Sequence, residues 1–168
     1  KFKPWSGIAV FSKYPLRELE LWYVENLPVL SGFIDVAGQE VYFVTTHTYS
    51  PIRPWKLRSR NRHIKSIAGH LEEIDGPKLV LGDFNAVPWD SRIREFSEQA
   101  KVIDTRPSLK PTYPSFLPLV KIPIDYIFHS PEIKSGNFSR LKQTYSDHYG
   151  VSCDLYLENA GMLAGCEK

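Results

Sequence analysis

The residues able to do chemistry in this chain sit at repeated positions in its apolar runs. His47 in "VTTHTYS", Asp83 with Asn85 in "GDFN", and Asp147 with His148 in "YSDHYG" each lie at the C-terminal end of such a run or in the loop just after it. Asp125, in "IPIDYIF", is a carboxylate inside an otherwise apolar strand. Carboxylates, imidazoles and a carboxamide are the groups that move protons, hold a hard cation or hydrogen-bond an anion. Each also has a plainer reading. Gly-Asp after a strand commonly makes a turn, and a strand-end histidine is commonly hydrogen-bonded structure. A buried carboxylate needs a partner whatever its role, so Asp125 requires one. His63 and His70 on a helix, and His129 where its strand ends, read as structural. Arg53, Lys56, Arg58, Arg60 and Arg62 read as a solvated face; they crowd a helix N-terminus, where cations are disfavoured, which leaves anion contact as a secondary reading.

The elements that must position these groups are legible in the periodicity. "GIAVFSK" (7–13) is a short β-rich run stopped by Tyr14-Pro15. "PVLSGFIDV" (28–36) and "EVYFVTTH" (40–47) flank Ala37-Gly38-Gln39 and read as a hairpin. The second run is apolar or β-branched on both faces, as expected of a strand covered on both sides. Ile64, Ile67, Ala68, Leu71 and Ile74 make one helical stripe, ended by Gly76-Pro77. "KLVLGDFN" returns as a strand, and "DSRIREFSEQA" (90–100) reads as a helix capped by Asp90 or Ser91. Strands are expected over 122–130, in "SRLKQTYSDH", and over 150–157, followed by a frayed tail at 158–168. Strands with two helices between them predict an α/β layered domain, 1–157, with a mixed sheet.

Composition narrows the function class only a little. Lys plus Arg at 21 against Asp plus Glu at 19 gives +2, too little to argue for a nucleic-acid partner from bulk charge. No stretch approaches the length of a membrane helix and no signal peptide is visible. The opening "KFKPWSGIAVFSKYPL", without an initiator Met, reads as mid-domain and implies a fragment. Cys153 and Cys166 have neither metal-type nor redox spacing; one disulfide between them is conceivable.

In combination and order, His…GDFN…IDYI…SDH resembles the endonuclease/exonuclease/phosphatase superfamily over roughly residues 7–157. "NAVPWDS", "PTYPS" and "KIPIDYIFHS" resemble a bacterial branch whose members often have a membrane anchor and an extracytoplasmic catalytic domain. The resemblance implies a four-layered α/β sandwich of two packed mixed sheets flanked by helices, and hydrolysis of a phosphoester by water with Mg²⁺ or Mn²⁺. It implies that Asp125 accepts the Nδ1–H of His148, and that His148 is general base or phosphate ligand, with Asp83 as rival base or as leaving-group acid. Asn85 and His47 would donate to phosphate oxygens. Asp147, with Asp83 and Asn85, would hold the metal, and Tyr49, Trp89 and Tyr113 would touch substrate. Nucleic acid, phospholipid, and sugar or inositol phosphate all fit as substrates, and the exposed-looking Trp55, Trp89, Tyr113 and Phe116 would suit bases or lipid. No obligate protein partner is evident.

The family's metal-binding Glu belongs upstream of the segment matching "GIAVFSKYPL" and is absent from this sequence. The chain therefore reads as the C-terminal two-thirds of the domain. An exposed edge or apolar face, and weak cation binding, are the expected consequences. The alternative from another class is a catalytically silent module of the same fold that binds a phosphorylated ligand.

Overall fold

The computed structural model describes residues 7–117, 119–141 and 145–157. Its elements run β1 (Leu16–Val24), β2 (Leu27–Val36), β3 (Gln39–His47), α1 (Pro54–Glu72), β4 (Lys78–Asp83), α2 (Ser91–Ala100), β5 (Ile103–Asp104), β6 (Asp125–His129), β7 (Ile133–Leu141) and β8 (Gly150–Leu157). Six strands form a mixed sheet in the order β1-β2-β3-β4-β6-β5, and β7 pairs with β8 in a second sheet. Among the described residues only β3 and β4 run parallel, and α1 supplies the crossover such a pair needs.

Local chemistry explains the main elements. Ala37 and Gly38 both take positive φ (53° and 86°), the backbone of a tight hairpin turn between β2 and β3. Pro54 opens α1, where its missing N–H costs nothing. At the other end Lys78 Nζ donates to the carbonyls of Leu71 (3.1 Å) and Ile74 (2.9 Å), satisfying groups the ending helix leaves free. Asp90 caps α2 by accepting from Arg92 N–H at 2.9 Å.

Both helices pack on one face of the six-stranded sheet. Ile64, Ile67 and Leu71 of α1 and Ile93 and Phe96 of α2 meet Val44, Val80, Phe84, Tyr126 and Phe128 in one core. On the opposite face Val41, Phe43, Leu79 and Ile127 meet Ile133, Val151, Cys153 and Leu157 from the second sheet. The result is an α/β sandwich of two sheets with helices outside, as the resemblance implies; no helix covers the outer face of β7 and β8 among the described residues. The apolar face continues past the second sheet onto the edge strand β1, where Leu19, Leu21 and Tyr23 are 54%, 51% and 59% exposed.

Several expectations need correction. Residues 7–13 form no strand: no strand pairs with them among the described residues, although Val10 packs against the second core, and β propensity alone makes no ladder. The first strand among the described residues is β1, whose "LRELELWYV" disguises its alternation with acidic residues and a shift of register between Arg17 and Glu20. The strand expected from Ser139 onward begins earlier, at Ile133, and contains another such shift between Gly136 and Ser139. The tail 158–168, with Cys166, lies outside the described residues; Cys153 is a free thiol.

Gly82 does not turn the chain. It lies within β4, directly beside Thr46 of β3, with φ 149°. A Cβ there would fall inside the van der Waals envelope of the Thr46 carbonyl oxygen. Glycine is required by close approach of two backbones, one residue short of the polar strand ends. Gly82→Ala should therefore cost about 2–3 kcal/mol in urea unfolding, by overpacking against rigid backbone.

Candidate active site

Strand register assembles the site. β3 pairs with β4 so that His47 lies beside Asp83, and β4 pairs with β6 so that Asp83 lies beside Asp125. Three residues distant in sequence thus stand in a row at one edge of one sheet. The loop leading into β8 then brings His148 over them. Its Nδ1 is 2.9 Å from Asp125 Oδ2, the hydrogen bond expected for an otherwise unexplained carboxylate in an apolar strand. Its Nε2 faces Asp83 Oδ2 at 3.9 Å, and His47 Nε2 approaches the same oxygen at 3.4 Å.

Asn85 closes the group from below. It takes a left-handed φ of 46°, its N–H donates to Asp83 Oδ1 (2.8 Å), and its Nδ2 donates to Thr48 O (3.0 Å) and Asp83 Oδ2 (3.2 Å). The "GDFN" pair is therefore one hydrogen-bonded unit, in which Phe84 faces the core at 0% exposure between two polar neighbours that face the site.

Burial and crowding set the charge states. Burial, and next the adjacent Asp125 carboxylate, push the Asp83 carboxyl up to about 7. The hydrogen bond that His148 donates to Asp125 raises His148 above the usual imidazole range. Burial, and next the charge of His148, lower His47. Neighbouring titratable groups thus have their affinities for a proton pushed in opposite directions, the usual sign of assigned acid and base roles.

Sequence reasoning missed the groups that hold these side chains. Thr112 is fully buried, and its Oγ1 accepts from Ile124 N–H (3.1 Å) and Asp125 N–H (3.3 Å) while its carbonyl accepts from Tyr149 N–H (2.8 Å). It ties the strand bearing Asp125 to the loop bearing His148. Arg106 Nη2 donates to Asp125 O at 2.9 Å, with its guanidinium 4.5 Å from the Tyr126 ring centroid. Arg60 donates to Asn85 O (2.8 Å) and to Asp90 Oδ2 (2.6 Å), and Arg62 pairs with Glu25 at 2.7 Å. These two arginines are tied to carboxylates, not part of a merely solvated face. The one available signal was an arginine spaced to lie on the buried side of α1.

The other expected residues divide. Tyr113 packs at a tilt against His148, with ring centroids 4.7 Å apart. Tyr49 packs against Trp55 (5.6 Å), and Trp89 is exposed without an aromatic neighbour among the described residues. Asp147 is exposed; its charge acts on Asp83 and His148, its carbonyl accepts from Ser115 N–H at 2.6 Å, and it is not one of the three residues, Asp83, Asp125 and His148, whose ligand atoms cluster. His63 is buried against Thr46 Oγ1 (2.8 Å), His70 meets the Tyr42 hydroxyl (2.7 Å), and His129 bonds Ser130 O (2.8 Å). All three are structural.

The comparisons agree with this geometry. The model described as "Endonuclease/Exonuclease/phosphatase family" matches residues 2–148. The chain belongs to that family. Similar solved structures include an endonuclease/exonuclease/phosphatase from Beutenbergia cavernae, at 21% identity and TM-score 0.73, covering 89% of this chain and 47% of that one. A humanized D. rerio TDP2 aligns at 18% identity and TM-score 0.69 over 84% of this chain and 67% of its own. A mannosyl-6-phosphatase from Bacteroides thetaiotaomicron aligns at 21% and 0.57 over 78% and 57%. The chain spans about half the length of the Beutenbergia structure. Among curated proteins, no sequence matches this chain.

In this member of the endonuclease/exonuclease/phosphatase family, Asp83, Asp125 and His148 each present a ligand atom, all within 4.8 Å of one another. That is close enough for one cation to reach all three.

The charge states carry a sign for stability. Asp83 binds its proton more tightly folded than unfolded, so its contribution is fully present below the ordinary carboxylate range near 3.8 and is lost as pH rises to about 7. In EDTA, Asp83→Asn should flatten that loss of stability, read as unfolding midpoint against pH. A second expectation concerns the pair. Asp125→Asn removes the acceptor that raises His148, so the His148 Cε1–H NMR titration should move to lower pH.

Proposed function

We propose that this family member is a divalent-metal-dependent phosphoester hydrolase that uses water as nucleophile. The observation that carries the reading is the Asp125–His148 hydrogen bond placed with Nε2 turned to Asp83. A purely binding crevice has no need of an imidazole held by a carboxylate on one nitrogen and free on the other. Neighbours named for single-strand DNA product binding and for mannosyl-6-phosphatase activity support the phosphate-ester class and leave the alcohol open.

In this mechanism His148 Nε2 takes a proton from water as the oxygen attacks phosphorus, while Asp125 fixes the tautomer and stabilises the imidazolium. The P–O bond to the leaving group breaks, and Asp83, whose affinity is pushed to about 7, supplies its proton to the departing oxygen. His47, kept neutral by its lowered affinity, lies beside them to donate to a phosphate oxygen. Asn85 takes a different part from the donor role expected of it. Both Nδ2 hydrogens are engaged by Thr48 O and Asp83 Oδ2, so its carboxamide oxygen is the group left for a cation.

The donor set fits such an ion. Burial first, and then repulsion from Asp125, raise Asp83, and a divalent cation would relieve the repulsion with oxygen ligands suited to Mg²⁺ or Mn²⁺. Asn85 would hold it through its carboxamide oxygen, with Asp147 at the rim; Asp83, the proton donor, would serve as a ligand only in its ionised form. Bound there, it would neutralise charge developing on the phosphate.

The test is turnover of a soluble aryl phosphodiester with Mg²⁺, with Mn²⁺ and with EDTA. Activity should require the metal, and His148→Ala should lower kcat by about 10² to 10⁴ with the fold unchanged by circular dichroism. Equal turnover by His148→Ala would overturn the assignment.

A further inference from the structure

The segment between Tyr113 and Ile122 closes on itself through an antiparallel bridge, with Ile122 N–H donating to Tyr113 O at 2.6 Å. Its tip turns apolar side chains outward: Phe116 is 70% exposed, Leu117 42%, Leu119 93% and Val120 68%. Tyr145, fully exposed, lies beside Ser146, whose carbonyl accepts from Ser115 Oγ at 2.9 Å. Scattered exposed apolar residues need no explanation, but several together on one projecting loop mark an interaction site.

Behind the tip stands a layer of cations. Lys121 Nζ donates to the Tyr149 hydroxyl (3.0 Å), and that hydroxyl donates to Ser115 O (3.3 Å). Lys121 Nζ and the Arg140 guanidinium both lie over the Tyr149 ring, 4.9 Å and 5.0 Å from its centroid. Lys110 sits similarly over Phe138, at 5.4 Å. The partners of Lys110, Lys121 and Arg140 are neutral carbonyls, a hydroxyl and aromatic rings, with no ion pair among the described residues. The nearby carboxylate, Asp147, acts on the reaction centre.

We propose that this loop docks the protein on an anionic lipid bilayer. An apolar tip tied through Ser115 and Tyr149 to cations with no ion pair among the described residues matches such a surface, acyl chains for the one and anionic headgroups for the other. A nucleic acid would answer the cations and leave the aliphatic tip in water. Charge complementarity favours the bilayer over an apolar protein face, which would leave the cations unanswered. The loop is tied to the site, since Ser115 N–H donates to Asp147 O next to His148, so docking presents headgroup phosphates to the crevice. Only that last step rests on the proposed hydrolysis; docking itself does not.

The experiment is co-sedimentation with vesicles of phosphatidylcholine, alone or mixed with phosphatidylglycerol, with soluble-diester turnover and gel filtration in parallel. The protein should pellet with the mixed vesicles and be released by salt. Leu119→Ser with Val120→Ser, and separately Lys121→Glu with Arg140→Glu, should each weaken partition about tenfold or more. Turnover of the soluble diester should be unchanged in both. Failure to bind mixed vesicles, binding indifferent to both pairs of substitutions, or a dimer that the apolar pair dissolves would each overturn the proposal. Loss of vesicle binding and loss of soluble turnover are separate readouts, so failure of docking and failure of the hydrolase reading are distinguishable.

Discussion

The register between β3, β4 and β6 is the constraint on which everything else in this structure depends. Side chains alternate along a strand, so a slip of one residue would send Asp83 to the opposite face and break its alignment with both His47 and Asp125. The register is held by what packs on either side of it. Val44, Val80 and Phe128 fix it from the helical face, and Phe43, Leu79 and Ile127 from the face of the second sheet. Gly82 lets the β3 and β4 backbones close beside Thr46 just before the polar ends emerge. The site is the place where a strongly apolar sheet stops and its last residues become polar.

Holding two carboxylates and two imidazoles together has an electrostatic cost, and the structure distributes it. Asp125 is answered by His148, and Asp83 by the backbone and side chain of Asn85. Burial, and next the repulsion from Asp125 that is not answered, appear as the raised proton affinity of Asp83. Residual repulsion between close carboxylates makes a local minimum of stability, and the same repulsion makes the group responsive to a cation or a proton. This is why stability and chemistry pull in opposite directions at Asp83.

A layer of buried polar groups gives the site its rigidity. Arg60, with 5% of its surface exposed, joins α1 to the Asn85 loop and to the cap of α2. Thr112 and Arg106 approach Asp125 through its backbone, so they fix its place without competing for its carboxylate. Tyr113 lies against the His148 ring. A side chain held from several directions loses little freedom when substrate arrives, the condition for precise positioning.

The sequence by itself determined the polar strand ends, the hairpin of β2 and β3, both helices and the covered nature of β3. These are local matters: alternation, the 3.6-residue stripe, the positive-φ turn and the Asp90 cap act within a few residues. It also indicated that Asp125 needs a partner, because an unpaired carboxylate in an apolar strand is too costly to keep. Only the tertiary structure decided the rest. The role of Gly82 depends on how near a strand thirty-odd positions away in sequence comes to it, which no local pattern encodes. β1 and the start of β7 were obscured because a shift of register breaks the alternation by which strands are read. Arg60, Arg106 and Thr112 carry no local sign of their work, since their partners come from remote segments. Asp147 and His148 are adjacent in sequence, yet only His148 joins the tight group, because its partner Asp125 lies on a strand more than twenty residues away and no pattern within the loop encodes that contact.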